Sequence, residues 1–109
     1  MSQRTAKVES LVQQVVAPEI VNLMGQDAAR ITVTSVDVSP DLRHATIWLG
    51  IIGDPRLQKN LLDRILGGSG NLQRAVIAKM TTKFVPRLEF RLDSGGEYAA
   101  GIDKLLKQS

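Results

Sequence analysis

Residues 67–71 read Gly-Gly-Ser-Gly-Asn, and five cations follow them: Arg74, Lys79, Lys83, Arg87 and Arg91, opposed only by Glu89. Glycine has no Cβ and lets other groups approach its backbone, while arginine and lysine neutralise phosphates. Together these types suggest contact with a polyanion rather than bond making. Three readings fit the glycines: a slack linker, a loop that cradles phosphate, or a break that sets an angle between two short helices. A Walker loop is excluded, because no Gly-Lys-Ser/Thr follows. A dinucleotide fingerprint is excluded as well, since GxGxxG is not matched and the segment follows a helical pattern rather than a strand.

The charge distribution agrees with a polyanion partner. Net charge is only +3, but residues 1–55 hold four cations (Arg4, Lys7, Arg30, Arg43) against six acids. Residues 56–109 hold ten cations against five acids. Enzymatic chemistry finds little support. His44 is the sole histidine, it opens a strand beside a turn, and no nucleophile-elbow pattern accompanies it. Its bland reading is an exposed strand-end side chain. The carboxylates are scattered singly, without the spacing of a metal site. With no cysteine, thiol nucleophiles, zinc-thiolate sites and disulfides are excluded. Trp48 reads as a packing residue, because single-strand platforms use several aromatics and aromatic content here is 4%. The expectation is a non-enzyme with no cofactor, no metal and no small-molecule substrate.

Several elements must position these residues. The 109-residue chain suffices for one domain, 1–109, with a single core. No apolar run approaches a membrane span, and the N-terminus lacks a signal-peptide pattern, so a cytoplasmic protein is expected. Val8, Leu11, Val12, Val15, Val16, Ile20, Leu23 and Met24 repeat at helical spacing over 4–24. Pro18 should kink that helix near Ala17 or open a second piece, with Gly25 as C-cap. Residues 30–39 read as a strand whose alternation slips phase, which a bulge near Thr34–Ser35 would reconcile. After a turn at 40–43, residues 44–52 form the second strand of an antiparallel hairpin. Asp54 and Pro55 are a helix N-cap and first position.

Two helices flank the glycines, Pro55–Leu66 and Leu72–Phe84. Leu57, Leu61, Leu62, Ile65 and Leu66 form one apolar stripe, and Leu72, Val76, Ile77, Met80 and Phe84 the other. The opposite arc of the second helix carries Asn71, Arg74, Ala75, Ala78 and Thr82, with Lys79 at its border. Pro86 leads into a third strand, 87–93, with one wet and one buried face, as an antiparallel or edge strand requires. A helix over 97–107 ends the chain. The order α-β-β-α-α-β-α implies an α+β domain with helices on one face of a three-stranded sheet.

Gly67-Gly68-Ser69-Gly70 also fits the GxxG of KH domains, whose glycines bare the backbone to nucleic acid. Two longer segments resemble one family. "ITVTSVDVSPDLRHATIWLGI" resembles the hairpin of bacterial ribosome-binding factor A, with its Thr-Val-x-x-Val-x-Val-Ser-x-Asp-Leu pattern. "GSGNLQRAVIAKMTTKFVPRLEFRLD" resembles its second signature, in which hydrophobic-Val-Pro-x-Leu-x-Phe-x-x-Asp closes the motif. The resemblance covers nearly the whole chain in order.

The resemblance implies a type II KH-like fold and a non-enzymatic assembly factor. Such a factor binds immature small (30S) ribosomal subunits, contacts 16S rRNA near the neck and decoding region, and supports late rRNA maturation. A generic KH-like module with another RNA target, or a protein–protein adaptor, is the alternative. The free protein is expected to be a monomer. The RNA site would combine Gly68, Ser69 and Gly70 with Arg74, Lys79 and Lys83, extended by Arg87 and Arg91 and by Arg4 and Lys7 on the first helix. Three departures stand out. Gly68 takes the place of the alanine in the family's Ala-x-Gly kink, "GQDAAR" replaces the Asp-Pro-Arg before the first strand, and Pro18 interrupts the first helix. Many relatives add a charged C-terminal tail after the last helix; the sequence ends at Ser109, so the resemblance brings no contacts through one.

Overall fold

A computed structural model describes residues 3–81 and 83–93. Helix α1 spans Gln3–Met24, a 3-10 turn Gly25–Arg30, and strands β1 and β2 Ile31–Val38 and His44–Ile51. Helices α2 and α3 span Pro55–Gly67 and Ser69–Lys79, and strand β3 spans Arg87–Leu92. The helix expected at 97–107 lies outside the described residues.

α1 buries Val8, Val12, Val16, Ile20 and Met24, a line of fourth residues along one side. It runs unbroken through Pro18, so two helical pieces do not form. Pro18 and Gln14 are exposed, so the helix passes the proline on its solvent side. Gly25 ends the helix at φ +60°, a left-handed conformation that favours glycine. The 3-10 turn that follows had no signature in "GQDAAR" beyond its position between helix and strand.

β1 and β2 form the expected antiparallel hairpin, with a register shift between Val33 and Ser35. The bulge turns Thr34 across Gly50, so that its hydroxyl lies 2.6 Å from Asp93 Oδ2 and 3.2 Å from Trp48 O. A Cβ on Gly50 would sit 3.1 Å from Thr34 Cγ2, a tight fit. At the hairpin turn Leu42 adopts φ +62° and is buried, so core packing holds a backbone conformation that leucine rarely takes. Asp41 steadies this turn: its carboxylate accepts from Ser39 Oγ (2.6 Å) and from Arg43 N (3.1 Å). Those two hydrogen bonds, the Ser39 one first, hold the Asp41 carboxyl below its ordinary pKa.

The sheet order is β1-β2-β3, and β3 pairs with β2 in parallel. β3 is thus an edge strand, and α2 with α3 forms the crossover that a parallel pair requires. Val36, Val38, Ala45, Ile47, Leu49, Ile51, Leu88 and Phe90 are buried on the face that the helices cover. The other face is open. It carries the cross-strand rows Asp37–Thr46–Glu89 and Ser35–Trp48–Arg91, with His44 beside Arg87. This is a KH-like α+β arrangement with its helices on one side.

Two expected stripes are shorter than their patterns. α3 stops at Lys79, and Met80 turns extended at φ −90°, ψ 137°. Phe84 therefore lies beyond the helix and is 43% exposed, and Ile77 is 56% exposed while Leu72, Val76 and Met80 are buried. The chain must straighten here to enter β3, and β-branched Thr81 and Pro86 favour that. In α2, Leu61 and Ile65 are buried whereas Leu66 is exposed.

Candidate nucleic-acid interface

The glycine segment is a one-residue kink. Gly67 is the last residue of α2, Ser69 and Gly70 open α3, and only Gly68 lies between them. Gly68 N–H closes α2 on Arg64 O (3.2 Å) and Ile65 O (3.0 Å), and Gly68 O accepts from Asn71 N and Leu72 N at the start of α3. A looped GxxG is therefore not what these letters build. Gly68 has φ −99°, ψ 9°, which other residues adopt, so its backbone alone does not demand glycine. Space does. A Cβ at Gly68 would meet the two δ-carbons of Leu23 at 2.7 and 2.8 Å. Nothing comparable surrounds Gly67, and at Gly70 the nearest atom is Arg74 Nη1 at 3.7 Å.

The kink brings Gly68, Ser69, Gly70 and Arg74 together. Arg74 is exposed and folds back along the first turn of α3, where its Nη2 donates to Asn71 Oδ1. No side chain caps that helix, so its first turn keeps amide donors and the positive end of the helix dipole beside Arg74. Lys79 is nearby but occupied: its Nζ lies 3.1 Å from Glu19 Oε2, tying α3 to α1. Lys83 stands beyond the helix end, exposed, with Nζ 5.6 Å from the Phe84 ring centroid.

The other expected cations are elsewhere. Arg87 and Arg91 project from the open face of the sheet, and Arg91 Nη2 lies 3.6 Å from Glu89 Oε1. They do not extend the surface of α3, because the helices cover the opposite face. Lys7 and Arg4 belong to the first turns of α1, whereas Leu23, near its end, meets the kink. Sixteen helical residues separate Lys7 from Leu23, roughly 24 Å at the rise of an α-helix. Glu9 confirms that placement, since its Oε2 accepts from Val38 N at the far end of β1.

Two polar residues beside the kink, Glu19 and Asn22, carried no signal in the sequence. Glu19, Asn22 and Asn71 line a groove of about 390 Å³ with Leu23, Gly68 and Leu72. On α1, Glu19 and Asn22 read only as polar positions, and no spacing tells that they face α3. Gln73 was equally silent. Its Nε2 donates to Pro86 O (3.0 Å) and its Oε1 accepts from Leu88 N (2.8 Å), so one amide pairs the outer edge of β3. His44 is an exposed strand end, as its position suggested. Trp48 is half-buried on the open face, where its Nε1 donates to Asp37 Oδ2 at 3.1 Å.

Fold and kink together define a small KH-like domain built around two helices broken at one glycine. A family model for ribosome-binding factor A matches residues 4–106, and the chain belongs to that family. Ribosome-binding factor A of Rhodopirellula baltica is 37% identical over 107 residues, covering 96% of this chain and 77% of the relative. That of Geobacter metallireducens is 32% identical over 109 residues, covering 99% and 92%. The match to the Thermomicrobium roseum protein, 36% identical, spans 72% of this chain and 60% of that protein. Among solved structures, the crystal structure of the Thermus thermophilus factor superposes with a TM-score of 0.69 at 22% identity, covering 81% of this chain and 93% of that one. A homology model of the Thermus factor, fitted into a cryo-EM map of its complex with the 30S subunit, gives 0.61 at 19% identity, covering 78% and 90%.

Proposed function

We propose that the chain is a cytoplasmic, non-catalytic assembly factor that binds immature small ribosomal subunits through 16S rRNA and supports late rRNA maturation. Membership of the ribosome-binding factor A family over residues 4–106 carries this reading. The Thermus relative fitted into a 30S complex agrees with it. Among the described residues no helix is long and apolar enough to cross a membrane.

The kink is the proposed contact, in a single domain that acts as a monomer without a cofactor. Gly68, Ser69 and Gly70 let a sugar-phosphate backbone approach the uncapped start of α3, and Arg74 meets a phosphate there. Lys83 adds charge past the end of α3. Lys79 contributes when a phosphate competes with Glu19, because an exposed ion pair of this kind is worth about 1 kcal/mol or less. Arg87 and Arg91, and Arg4 and Lys7, lie too far round the molecule to share that contact.

Co-sedimentation with immature and mature small subunits tests the reading. Preferential binding to immature subunits is expected, weakening steeply with salt as counterions return to the RNA. Equal affinity for unrelated single strands would instead identify a general RNA-binding module, and indifference to competing rRNA would identify a protein adaptor.

A further inference from the structure

The groove beside the kink is shaped for more than a backbone. Pockets for small ligands occupy roughly 300–1,000 Å³, with apolar walls and a few oriented polar groups. This one, at about 390 Å³, has Leu23, Leu72 and the bare Gly68 as its apolar part and Glu19, Asn22 and Asn71 as its polar part. Those polar groups retain bonding capacity. Glu19 spends Oε2 on Lys79, and Asn71 spends Oδ1 on Arg74. Among the described residues, Glu19 Oε1, Asn71 Nδ2 and the Asn22 amide take part in no hydrogen bond.

Given RNA at the kink, as proposed above, we propose that this groove receives one unstacked nucleobase and that the base is guanine. Single-stranded RNA is read by splaying bases out and hydrogen-bonding their Watson–Crick edges. A carboxylate only accepts, while an amide both donates and accepts. Guanine presents two adjacent donors, N1–H and the 2-amino group, to the carboxylate of Glu19, and its O6 accepts from an asparagine amide. The other bases fail this test at one atom each. Adenine N1 and cytosine N3 would set a lone pair against the carboxylate, and uracil N3–H is flanked by two carbonyl oxygens. Charge sorts the strand in the same sense. Glu19 repels phosphate from the groove, and Arg74, on the other side of Asn71, attracts it to the rim.

Short labelled single strands carrying one guanine in a uridine run, or adenine or inosine in its place, test this by fluorescence anisotropy. The expected preference for guanine over adenine is about tenfold, the lower end for a bidentate base contact. Inosine, which lacks the 2-amino group, should fall between them. Glu19→Gln should reduce the preference to less than about threefold, with the adenine strand bound no more weakly, since the change also removes the charge that repels phosphate and holds Lys79. Lys79→Met, which frees Glu19, should keep the preference. As a check independent of any variant, the side-chain amide resonances of Asn22 and Asn71 should shift with guanosine 5′-monophosphate and not with adenosine 5′-monophosphate. RNA binding with no base preference, or a preference that survives Glu19→Gln, overturns the guanine site alone. Affinities untouched by Arg74→Glu overturn the kink as the RNA contact, and the guanine site with it.

Discussion

The molecule has two faces on which the same stretch of sequence, Arg74 to Arg91, places its cations. On the helical face Arg74 has a neutral partner, Asn71, and stands beside an uncapped helix start. On the open sheet face Arg87 and Arg91 flank the row that carries Glu89 and Asp37, so acids stand beside the arginines. A run of basic residues in sequence is thus not one basic surface. The chain changes from helix to edge strand at Met80, and a strand sends alternate side chains to the face that the helices leave bare. Net charge per segment does not tell how cations are shared between the faces; the local balance on each face does.

Perturbing the kink should separate the two faces most sharply. Gly68→Val drives a branched side chain into Leu23 and should cost about 2 kcal/mol in denaturant unfolding, with loss of small-subunit binding. Gln73→Ala acts at the joint between the faces. It leaves Leu88 N–H and Pro86 C=O without their partner on a part-buried edge, and about 1.5 kcal/mol of destabilisation is expected in the same assay. Gly67→Ala has the opposite sign. The position is helical and open, so a gain of roughly 0.5 kcal/mol is expected with binding unchanged. If Gly67→Ala abolished binding, the kink would involve more than Gly68.

The smallest effect concerns Asp41, at the hairpin and away from the kink. Its pKa is lowered in the folded state, so the turn's stabilisation is present above the ordinary aspartate range and fades as pH falls through the lowered value. Asp41→Asn should flatten the acid limb of the melting temperature as pH falls below the ordinary aspartate range, without altering RNA binding at neutral pH.

What was legible in the sequence had a local cause. The bulge at Thr34 shows as a slip between Ile31–Val33 and Val36–Val38, and the Asp54 cap shows as Asp-Pro before an apolar stripe; its Oδ1 accepts from Leu57 N at 2.8 Å. Gly25 marks the end of α1 for the same reason, since a left-handed residue follows a helix. What was not legible depends on partners distant in the chain. Gly67 and Gly68 are identical letters, and only Leu23 tells them apart. Lys79 reads as a free cation until Glu19, 60 residues earlier, is brought beside it. Ile77 and Phe84 fit a helical stripe that the chain abandons in order to reach β3. Periodicity reports which residues share a face of an ideal element, and tertiary contacts decide where that element stops.

The division between the two faces is tested most directly by comparing Arg74→Glu with the double variant Arg87→Glu/Arg91→Glu in co-sedimentation with immature small subunits at one salt concentration. The double variant removes twice the positive charge, so non-directional attraction would make it the weaker binder. The expected result is the reverse: Arg74→Glu lowers affinity about tenfold or more and reduces the salt slope by about 1, while the double variant changes affinity less than about threefold. A larger loss in the double variant would contradict the kink as the RNA contact and move it to the open sheet.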